Sequence, residues 1–492
     1  MTAWSLADVL AGTGGVVRPG GSGELAPETV FPRLERDSRN IEADDLFIAI
    51  RGEQHDGHAF VAGAATRGAA AAIVAETWAD QQGDVGLPLI VVDEPIAALQ
   101  RWAAWQRGRM DVRVVGVTGS VGKTSAKEAI AAVLAQRFRV YRSPGNYNNE
   151  IGLPLSLLEA PAETEVLVLE MGGAYAVGEL TLLSSIAQPT VGVVTNVYPV
   201  HLERMGTIEA IARTKAELVE ALPSDGVAVL NGDDERVRAM ADGVTGRVIT
   251  YGLDTDNDIK ADSVTTEGLE GTTFWVTIDG DRLFLKVPFV GAHGVQIALV
   301  AIAVGHSFGM HISEMLVGLN DPSVQVRLLF VEGPNGSQLI DDTYNASTPS
   351  MLSSLGLLGD LRGSSGRRVA VLGEMRELGS IAEDEHRVVG RRAGEVADIV
   401  VTYGGLASFI AAEAQSMPRP DDRPLVVQTF ELEQRQALVD YLDAELRNGD
   451  IVLLKGSRGL QMEQFVAALR ADSDAASIDI GETPPSSSVI DG

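Results

Sequence analysis

The 492-residue sequence contains no cysteine. This absence excludes disulfide bonds, zinc sites with cysteine ligands and thiol nucleophiles, because each of these needs a cysteine sulfur atom. It also agrees with a reducing compartment, in which structural disulfides are rare. We therefore expect a cytoplasmic protein.

Basic residues are scarce, since 39 lysines and arginines face 68 aspartates and glutamates. The resulting formal charge of −29 repels nucleic acids and anionic membranes, so we expect neither as a partner. Any anionic ligand must therefore be met by local basic side chains and by backbone amides.

Long apolar runs are absent as well. The longest apolar region, around Val295–Gly305, is interrupted by Gln296 and falls short of the ~18 apolar residues that indicate a membrane-spanning helix. The N-terminus lacks a basic segment followed by an apolar core, which argues against a signal peptide. We expect no insertion into a membrane.

The sequence divides into three blocks in which strand patterns alternate with helical ones, as is typical of α/β folds. We expect domains at residues 1–110, 111–320 and 321–470, followed by a disordered acidic tail at 471–492. In the middle block the alternation predicts a doubly wound, mostly parallel sheet with a hairpin on its edge. The predicted parallel strands of this block are Val112–Val117, Glu165–Leu169, Thr190–Thr195 and Val227–Leu230.

The most informative segment is the glycine-rich run between a predicted strand and a predicted helix, Thr118-Gly-Ser-Val-Gly-Lys-Thr124. Glycines let backbone N–H groups point at an anion, and the N-terminus of the following helix adds the positive end of its dipole. In such a loop the lysine reaches the β- and γ-phosphates, and the threonine hydroxyl contacts Mg²⁺. The run predicts a nucleotide phosphate site formed by Thr118, Gly119, Ser120, Val121, Gly122, Lys123 and Thr124.

Polar residues follow two further predicted strands. Glu170 ends one of them, and Asn196 ends the next, with His201 five residues later. Ligands of open parallel sheets bind beyond these carboxyl ends, so Glu170 is well placed to hold Mg²⁺ directly or through water. Glu170 could instead cap the next helix, and His201 could be an ordinary loop histidine. Lys215 lies in a helix with alternating charges and is most simply a solvated side chain.

Several longer motifs give the chain a resemblance to a known family. They are Asp37-Ser-Arg39, Asn146-Tyr-Asn-Asn149, Asp341-Asp-Thr-Tyr-Asn345, Gly373-Glu-Met-Arg-Glu-Leu-Gly379 and Lys455-Gly-Ser-Arg458. With the phosphate loop, they make the chain resemble the Mur ligases of bacterial cell-wall synthesis, and within them the MurF branch, over nearly the whole chain except the tail. The resemblance implies an N-terminal UDP-substrate domain, a central P-loop ATPase domain and a C-terminal Rossmann-like domain.

The resemblance also implies an activity. Such enzymes use ATP and Mg²⁺ to join a carboxylate to an amine. Here the implied reaction adds D-alanyl-D-alanine to UDP-N-acetylmuramoyl-tripeptide through an acyl phosphate and releases ADP and phosphate. We expect the enzyme to be a monomer.

Site residues follow from the same resemblance. The implied catalytic residues are Lys123, Glu170, His201 and Lys215. The implied Mg²⁺ ligands are Thr124, Glu170, His201 and Lys215, the lysine as a carbamate. The implied nucleotide contacts outside the loop are Arg327, Asp342, Tyr344 and Asn345. The implied substrate contacts are Ser38, Arg39, Asn148, Asn149, Glu150, Lys455 and Arg458.

The chain departs from the family at the helix that usually begins His-Asn-x-x-Asn, which here reads His293-Gly-Val-Gln-Ile297. Both asparagines of the usual adenine contact are missing, so either Gln296 replaces them or the base specificity is relaxed. Two alternative functions stay open. One is another acid–amino-acid ligase of the superfamily, either MurE-like or folylpolyglutamate synthase-like. The other is a nucleotide-binding protein without ligase activity.

Overall fold

The computed structural model describes residues 3–20, 25–52, 55–267, 270–321, 329–361, 366–418 and 424–470. Two sequence predictions lie outside these residues. They are the nucleotide contact by Arg327 and the disordered tail at 471–492. Within the described residues the chain forms three α/β units, each built on its own sheet, and the predicted three-domain α/β architecture is confirmed.

The N-terminal unit contains a mostly parallel sheet. From edge to edge its described strands are Val16–Arg18, Leu89–Val92, Ala71–Ala75, Leu46–Ile48 and Leu34–Glu35. Only Val16–Arg18 runs antiparallel to its neighbour. A short antiparallel pair, Trp4–Ser5 with Val30–Phe31, lies apart from this sheet. The α-helices of this unit are Leu6–Thr13, Val61–Arg67, Glu76–Ala79 and Pro95–Arg107.

The central unit has a nine-stranded sheet in the described part of the chain. From edge to edge its strands are Asp281–Val287, Thr272–Ile278, Ile259–Thr266, Arg247–Gly252, Val227–Asn231, Val191–Val194, Arg113–Thr118, Val166–Glu170 and Val140–Arg142. The predicted hairpin forms the antiparallel edge, and the strands from Ile259–Thr266 onward are parallel to one another. The strand that leads into the phosphate loop lies between the strands that end at Glu170 and Val194, so their carboxyl ends meet at one edge.

Helices cover both faces of the central sheet, as predicted for a doubly wound fold. The α-helices of this unit are Lys123–Ala135, Gly152–Glu159, Glu179–Ala187, Leu202–Met205, Ile208–Glu220, Glu235–Ala239, Gly291–Ser307 and Ile312–Leu319. One core joins the sheet to the helices that begin at Lys123, Gly291 and Ile312. The core on the other face also includes Trp102 and its neighbours from the N-terminal unit, so the first two units share buried apolar contacts.

The C-terminal unit is a second, separate sheet. From edge to edge its described strands are Leu329–Glu332, Gln338–Asp341, Ile451–Lys455, Arg368–Gly373, Ile399–Tyr403 and Val426–Phe430. The first strand is antiparallel and the others are parallel. Its α-helices are Thr348–Asp360, Ala382–Val396, Ser408–Ser416, Arg435–Glu445 and Glu463–Leu469. Two apolar cores, one on each face, make this unit three-layered.

Among the described residues, no helix combines the length and the apolarity needed to cross a membrane.

Candidate active site

The phosphate loop, residues 118–124, has the backbone that an anion site needs. Gly119 and Gly122 have φ angles of +146° and +81°. A Cβ on Gly119 would lie 2.0 Å from Thr195 Oγ1, so only glycine allows the loop to approach the neighbouring strand end so closely. The helix that begins at Lys123 has no side-chain cap, which leaves its first backbone N–H groups available to an anion.

Asn196 and Thr195 hold this loop in place. Asn196 Oδ1 accepts a hydrogen bond from the Val121 N–H at 2.8 Å, and Asn196 Nδ2 donates to the Val121 carbonyl at 2.9 Å. The Thr195 hydroxyl donates to the same carbonyl at 2.8 Å. The carboxyl end of one parallel strand therefore holds the loop that follows its neighbour.

Lys123 and Thr124, the two loop side chains predicted to contact phosphate and Mg²⁺, have different hydrogen-bond partners. Lys123 Nζ donates to the Gly119 carbonyl at 2.9 Å and so lies across the loop. Thr124 Oγ1 donates to Glu170 Oε2 at 2.6 Å, while Asn148 Nδ2 donates to Glu170 Oε1 at 2.9 Å. The carboxylate of Glu170 is almost fully buried and is held by both side chains. It caps no helix, because the next helix begins at Glu179 with Gly178 at its N-cap.

Lys127 is a buried cation beside this carboxylate that the sequence analysis did not identify. Its side chain is fully buried, and Nζ donates to the carbonyls of Ser143 and Gly145 at 2.7 and 2.9 Å. Nζ also lies 3.9 Å from Glu170 Oε2. Lys127 thus ties the phosphate-loop helix to the start of the asparagine-rich loop. The only signal in the sequence was its position one helical turn after Lys123, which does not reveal burial.

Lys215 is also buried, with a side chain that is 3% exposed, so its interpretation as a solvated lysine is wrong. Nζ donates to the carbonyls of Gly172 and Gly173 at 2.8 and 2.7 Å. Burial, and then the positive charge of Lys123, lower the pKa of Lys215 to about 7, against two carboxylates that raise it. Near neutral pH, a large fraction of this amine is therefore uncharged and nucleophilic.

His201 lies at the mouth of the same region. It lines a small cavity together with Lys123, Lys215 and the segment from Gly172 to Tyr175. Its Nδ1 is in short contact with Glu377 Oε2, a carboxylate of the C-terminal unit. The hydrogen bond from His201 lowers the pKa of Glu377, although partial burial opposes that shift. His201 is therefore a contact residue between two units, which its sequence context did not reveal.

The C-terminal unit contributes a buried ion pair to the other side of the site. Lys455 Nζ lies 2.7 Å from Asp342 Oδ2 and donates to the Asn345 carbonyl at 3.0 Å. The Ser354 hydroxyl donates to the same Asp342 oxygen at 2.5 Å. Because Lys455 ends one strand and Asp342 directly follows its parallel neighbour, the sheet itself brings the two motifs together.

Arg458 completes this side. Its guanidinium lies 5.3 Å from the centre of the Tyr344 ring and 3.2 Å from Glu463 Oε1.

One cleft opens between the phosphate loop and these C-terminal residues. The sequence-predicted residues that line it are Ser120, Val121, Gly122, Lys123, Thr124, Asn148, Glu170, His201, Asp342, Tyr344, Asn345, Lys455 and Arg458. Gly119, Asn149 and Lys215 line the small adjoining cavity, whereas Thr118 is buried beneath the loop.

Known proteins match this combination of sheet, loop and cleft. Three family models cover most of the chain: the Mur ligase family catalytic domain at residues 33–105, the Mur ligase middle domain at 117–305 and the Mur ligase glutamate ligase domain at 326–458. The UDP-N-acetylmuramoyl-tripeptide–D-alanyl-D-alanine ligase of Bacillus subtilis is 36% identical over 451 residues, which are 90% of this chain and 94% of the relative. The chain belongs to the Mur ligase family.

Solved structures of MurF, a member of this family, have the same fold. A MurF structure from Acinetobacter baumannii aligns with a TM-score of 0.82 at 27% identity, covering 95% of this chain and 98% of the other. MurF from Thermotoga maritima in complex with ADP aligns with a TM-score of 0.75 at 28% identity, covering 89% of this chain and 96% of the other. The predicted resemblance to MurF-type Mur ligases is confirmed.

The asparagine-rich loop of this Mur ligase does not present every predicted residue to the cleft. Asn149 Oδ1 accepts from the N–H groups of Ile151 and Gly152, at 3.2 and 2.8 Å, and so supports the start of a helix. Glu150 is not among the residues that line the cleft or the small cavity. Its carbonyl accepts a hydrogen bond from Gln100 Nε2 at 3.0 Å, which links this loop to the N-terminal unit.

Ser38 and Arg39 lie in the N-terminal unit, away from the cleft lining. Asp37 caps the short turn that contains them and forms a bidentate ion pair with Arg39. The Arg39 side chain is 78% exposed. Their predicted contact with a UDP group stays a prediction.

The end of the cleft beyond the phosphate loop is lined by the helix that lacks the two asparagines. His293 lies near the phosphate loop, because a Cβ on Gly122 would be 3.3 Å from His293 Cε1. Gln296 Nε2 donates to Asp233 Oδ2 at 2.5 Å, and Asp233 in turn accepts from the Leu253 N–H. Gln296 Oε1 is buried without a hydrogen-bond partner among the described residues. Gln296 thus lines the cleft with one amide end anchored and its oxygen unpaired.

Proposed function

We propose that this protein joins D-alanyl-D-alanine to UDP-N-acetylmuramoyl-tripeptide, with ATP converted to ADP and phosphate. The observation that carries the proposal is the shared cleft, in which the phosphate loop, the buried Glu170 and the buried Lys455 face one space. Support comes from the Bacillus subtilis relative, whose name states this reaction, and from the ADP complex of the Thermotoga maritima MurF. As a Mur ligase, the protein is an ATP-dependent enzyme that forms a C–N bond.

The first step is phosphoryl transfer. The terminal carboxylate of the tripeptide attacks the γ-phosphorus of ATP, the bond between that phosphorus and the β–γ bridging oxygen breaks, and ADP leaves. An acyl phosphate remains. The loop amides and Lys123 contribute positive potential where the anionic oxygens converge, and groups fixed in advance for such charge give the largest electrostatic effect.

The second step is acyl transfer. The free amine of D-alanyl-D-alanine attacks the acyl carbon, a tetrahedral intermediate forms, and inorganic phosphate leaves as the amide is completed and the amine loses its proton. Because water would hydrolyse the acyl phosphate, the cleft must be closed at this stage. Lys455 and Arg458, on the C-terminal side of the cleft, are placed to meet anionic groups of the substrates.

The donor atoms at the phosphate loop fit Mg²⁺. Thr124 and Glu170 supply hard oxygen donors 2.6 Å apart, and Mg²⁺ in nucleotide sites is held by one or two such groups together with phosphates and water. Among the described residues no group of three or more acidic or histidine side chains could hold a metal by itself. Mg²⁺ would neutralise phosphate charge, with Thr124, Glu170 and His201 as its protein ligands.

We also propose that Lys215 carries a carbamate. The lone pair of its neutral amine attacks the carbon of CO₂, a C–N bond forms, and the displaced N–H proton goes to solvent. The product is an anionic oxygen ligand in place of a cation that would repel Mg²⁺. The pKa of about 7 supports this step, since only the unprotonated amine reacts.

Three further properties belong to the same proposal. We place the domain limits near residues 110 and 320, and we expect the enzyme to act as a monomer in the cytoplasm. The last inference follows from the nucleotide substrates, ATP and a UDP-linked peptide, rather than from any feature of the fold.

The decisive experiment measures ADP release by the full chain with ATP, Mg²⁺, UDP-N-acetylmuramoyl-tripeptide and one amine at a time. We expect release with D-alanyl-D-alanine but not with meso-diaminopimelate, lysine or glutamate, and a product whose mass equals the sum of the two substrates less one water. Turnover only with glutamate or diaminopimelate would indicate another ligase of the superfamily. ATP binding without amine-dependent ADP release would indicate a non-catalytic nucleotide-binding protein.

A further inference from the structure

Glu377 and His201 meet where the central and C-terminal units touch. Glu377 Oε2 is in short contact with His201 Nδ1, and Glu377 Oε1 lies 3.6 Å from the Arg204 guanidinium. Both contact residues have left-handed backbones, with φ of 64° for Glu377 and 55° for His201. Such angles are uncommon for residues other than glycine, so each side chain reaches the other from an unusual local conformation.

We propose that Glu377 is a positioning residue that sets the tautomer and orientation of His201 for Mg²⁺ binding when the C-terminal unit docks. This inference rests on the proposed function, in which His201 is a metal ligand. Glu377 belongs to the Gly373–Gly379 motif, to which neither the fold nor the proposed reaction steps assign a role.

The hydrogen bond at Nδ1 determines which nitrogen of the His201 imidazole is free to bind a metal. When Nδ1 carries the proton and donates it to Glu377, Nε2 keeps its lone pair, and the tautomer of a histidine is set by the hydrogen bond that its other nitrogen makes. None of the described residues forms a hydrogen bond with Nε2. His201 also lines both the cleft and the small cavity. A carboxylate behind a metal-binding histidine is a recurring arrangement that orients the ring and raises its basicity.

The Glu377 carboxylate and the His201 imidazole come from different units. Glu377 follows the strand Arg368–Gly373 of the C-terminal sheet, whereas His201 belongs to the central unit. The Glu377 loop packs closely on the helix Leu202–Met205, because a Cβ on Gly379 would lie 3.2 Å from Glu203 Cγ. Arg204, the second partner of Glu377, lies over the Tyr175 ring at 4.5 Å. The carboxylate is therefore delivered to His201 by docking of the C-terminal unit.

This geometry links two events that the reaction needs together. Closure of the cleft excludes water, and a correctly oriented His201 completes the protein ligands of the metal. Because one hydrogen bond depends on the contact between units, the open enzyme has a histidine with two accessible tautomers, and the docked enzyme has one. On this geometry, docking of the C-terminal unit completes the protein ligands of the metal.

The first test reads the tautomer directly, by two-bond ¹⁵N–¹H NMR of the full chain labelled at histidine, with His201→Asn to assign the signal. We expect wild-type His201 to carry its proton on Nδ1. Glu377→Ala should shift the population towards the Nε2–H form, and Glu377→Gln should keep the Nδ1–H form, because its amide oxygen still accepts. An unchanged tautomer in Glu377→Ala would overturn the proposal, as would the same shift in both variants.

The second test measures metal affinity without turnover. Mn²⁺, which replaces Mg²⁺ and is detected by electron paramagnetic resonance, is titrated into the full chain saturated with a non-hydrolysable ATP analogue. We expect Glu377→Ala to weaken Mn²⁺ binding by about 10- to 100-fold. Glu203→Ala is the matched control, since it removes a carboxylate that packs at the same interface and has no hydrogen bond with His201 among the described residues, and it should bind Mn²⁺ as the wild type does.

Failure of this inference can be told apart from failure of the proposed function. If the wild type binds Mn²⁺ with the ATP analogue and releases ADP with D-alanyl-D-alanine, but Glu377→Ala retains wild-type Mn²⁺ affinity, only the role of Glu377 is lost. An equal loss of affinity in Glu377→Ala and Glu203→Ala would also overturn it, because docking alone would then explain the effect. A wild type that neither binds Mn²⁺ nor turns over would refute the proposed function itself.

Discussion

The two sides of the cleft hold their cations in different ways. On the central side, Lys123 and Lys215 donate to backbone carbonyls of the loops around them. On the C-terminal side, Lys455 and Arg458 pair with the carboxylates of Asp342 and Glu463. A carbonyl oxygen is neutral, whereas a carboxylate compensates the charge. Lys455 and Arg458 must therefore exchange partners when an anionic substrate arrives.

This difference fits the order of events in the proposed reaction. ATP binds to the loop that Asn196 already holds in place, so the phosphate site exists in advance. The C-terminal cations, being compensated, present less positive charge until an anionic substrate competes with Asp342 and Glu463. We therefore expect lysine substitutions on the two sides to have different effects. A substitution on the central side should mainly lower activity, and one on the C-terminal side should mainly lower stability.

The largest expected effect on activity belongs to the central side. Lys123→Ala should lower the rate of D-alanyl-D-alanine-dependent ADP release by roughly 10³-fold or more, because it removes a fixed cation from the phosphoryl-transfer site. Its melting temperature should stay close to that of the wild type, since the lysine donates to neutral carbonyls. Lys286→Ala, on the exposed edge strand, is the control for charge loss. Unchanged turnover in Lys123→Ala would remove the phosphate role of this residue.

The next largest effect on activity is expected at Lys215. Lys215→Ala should lose most activity and regain part of it with short carboxylic acids, which can occupy the space of the missing carbamate. The rescue should depend on acid size, and formate, acetate and butyrate measured in the same ADP-release assay give that series. Rescue by none of them would argue that Lys215 acts as an amine.

The lowered pKa of Lys215 predicts that stability depends on pH. Its pKa is about 7 in the folded chain against 10.5 in a model lysine, so between these values the unfolded state binds a proton that the folded state does not. The contribution of Lys215 to the free energy of unfolding therefore rises from pH 7 to pH 10.5. In CO₂-free buffer, the free energy of unfolding of Lys215→Met should be higher than that of the wild type. The difference should be largest at or below pH 7 and should shrink as the pH rises. A difference independent of pH would contradict the lowered pKa.

The C-terminal side should respond through stability. Lys455→Met leaves the Asp342 carboxylate partly buried without its cation, which should lower the free energy of unfolding by about 3 kcal/mol. The double variant Lys455→Met, Asp342→Asn should recover part of that loss, because the uncompensated charge is gone. Urea unfolding of both variants and of Asp342→Asn forms the double-mutant cycle. Additive effects would show that the pair is not coupled, and the contrast between the two sides would fail.

The smallest effect is expected at Gln296. Its unpaired, buried oxygen is an acceptor that suits the 6-amino group of adenine, while Asp233 holds the opposite end of the amide. Gln296→Leu should raise the KM for ATP about 5-fold with little change in kcat, as expected when one hydrogen bond to a ligand is lost. Initial rates with ATP and ITP test this, and the variant should discriminate less between them than the wild type. Equal discrimination would exclude Gln296 from base recognition.

Local patterns were sufficient to predict the elements that carry the central side. The strand before the loop, the loop itself and Glu170 at a strand end all depend on short stretches of sequence, and the structure confirms these placements. The short strands Val16–Arg18 and Leu34–Glu35 were not predicted, because two or three residues are too few to show a period.

The remaining site residues depend on contacts between distant segments. Lys127 and Lys215 are buried because loops more than ten residues away in the sequence cover them. The residue pattern of neither helix indicates this burial. The contact between His201 and Glu377 spans two units. Asn149 and Glu150 were expected in the cleft because their motif resembles the family, but the motif does not specify which of its side chains supports a helix start and which faces the ligand.

The proposed reaction requires that the phosphate loop present the γ-phosphate of ATP to a peptide carboxylate in this cleft. A crystal structure of the full chain with a non-hydrolysable ATP analogue and Mg²⁺ tests it most directly. We expect the triphosphate on the amides of residues 119–124, Lys123 Nζ at the β- and γ-phosphates, and the terminal phosphate directed towards Glu170 and His201. A triphosphate that points away from these residues, or a nucleotide bound elsewhere while the loop stays empty, would contradict it.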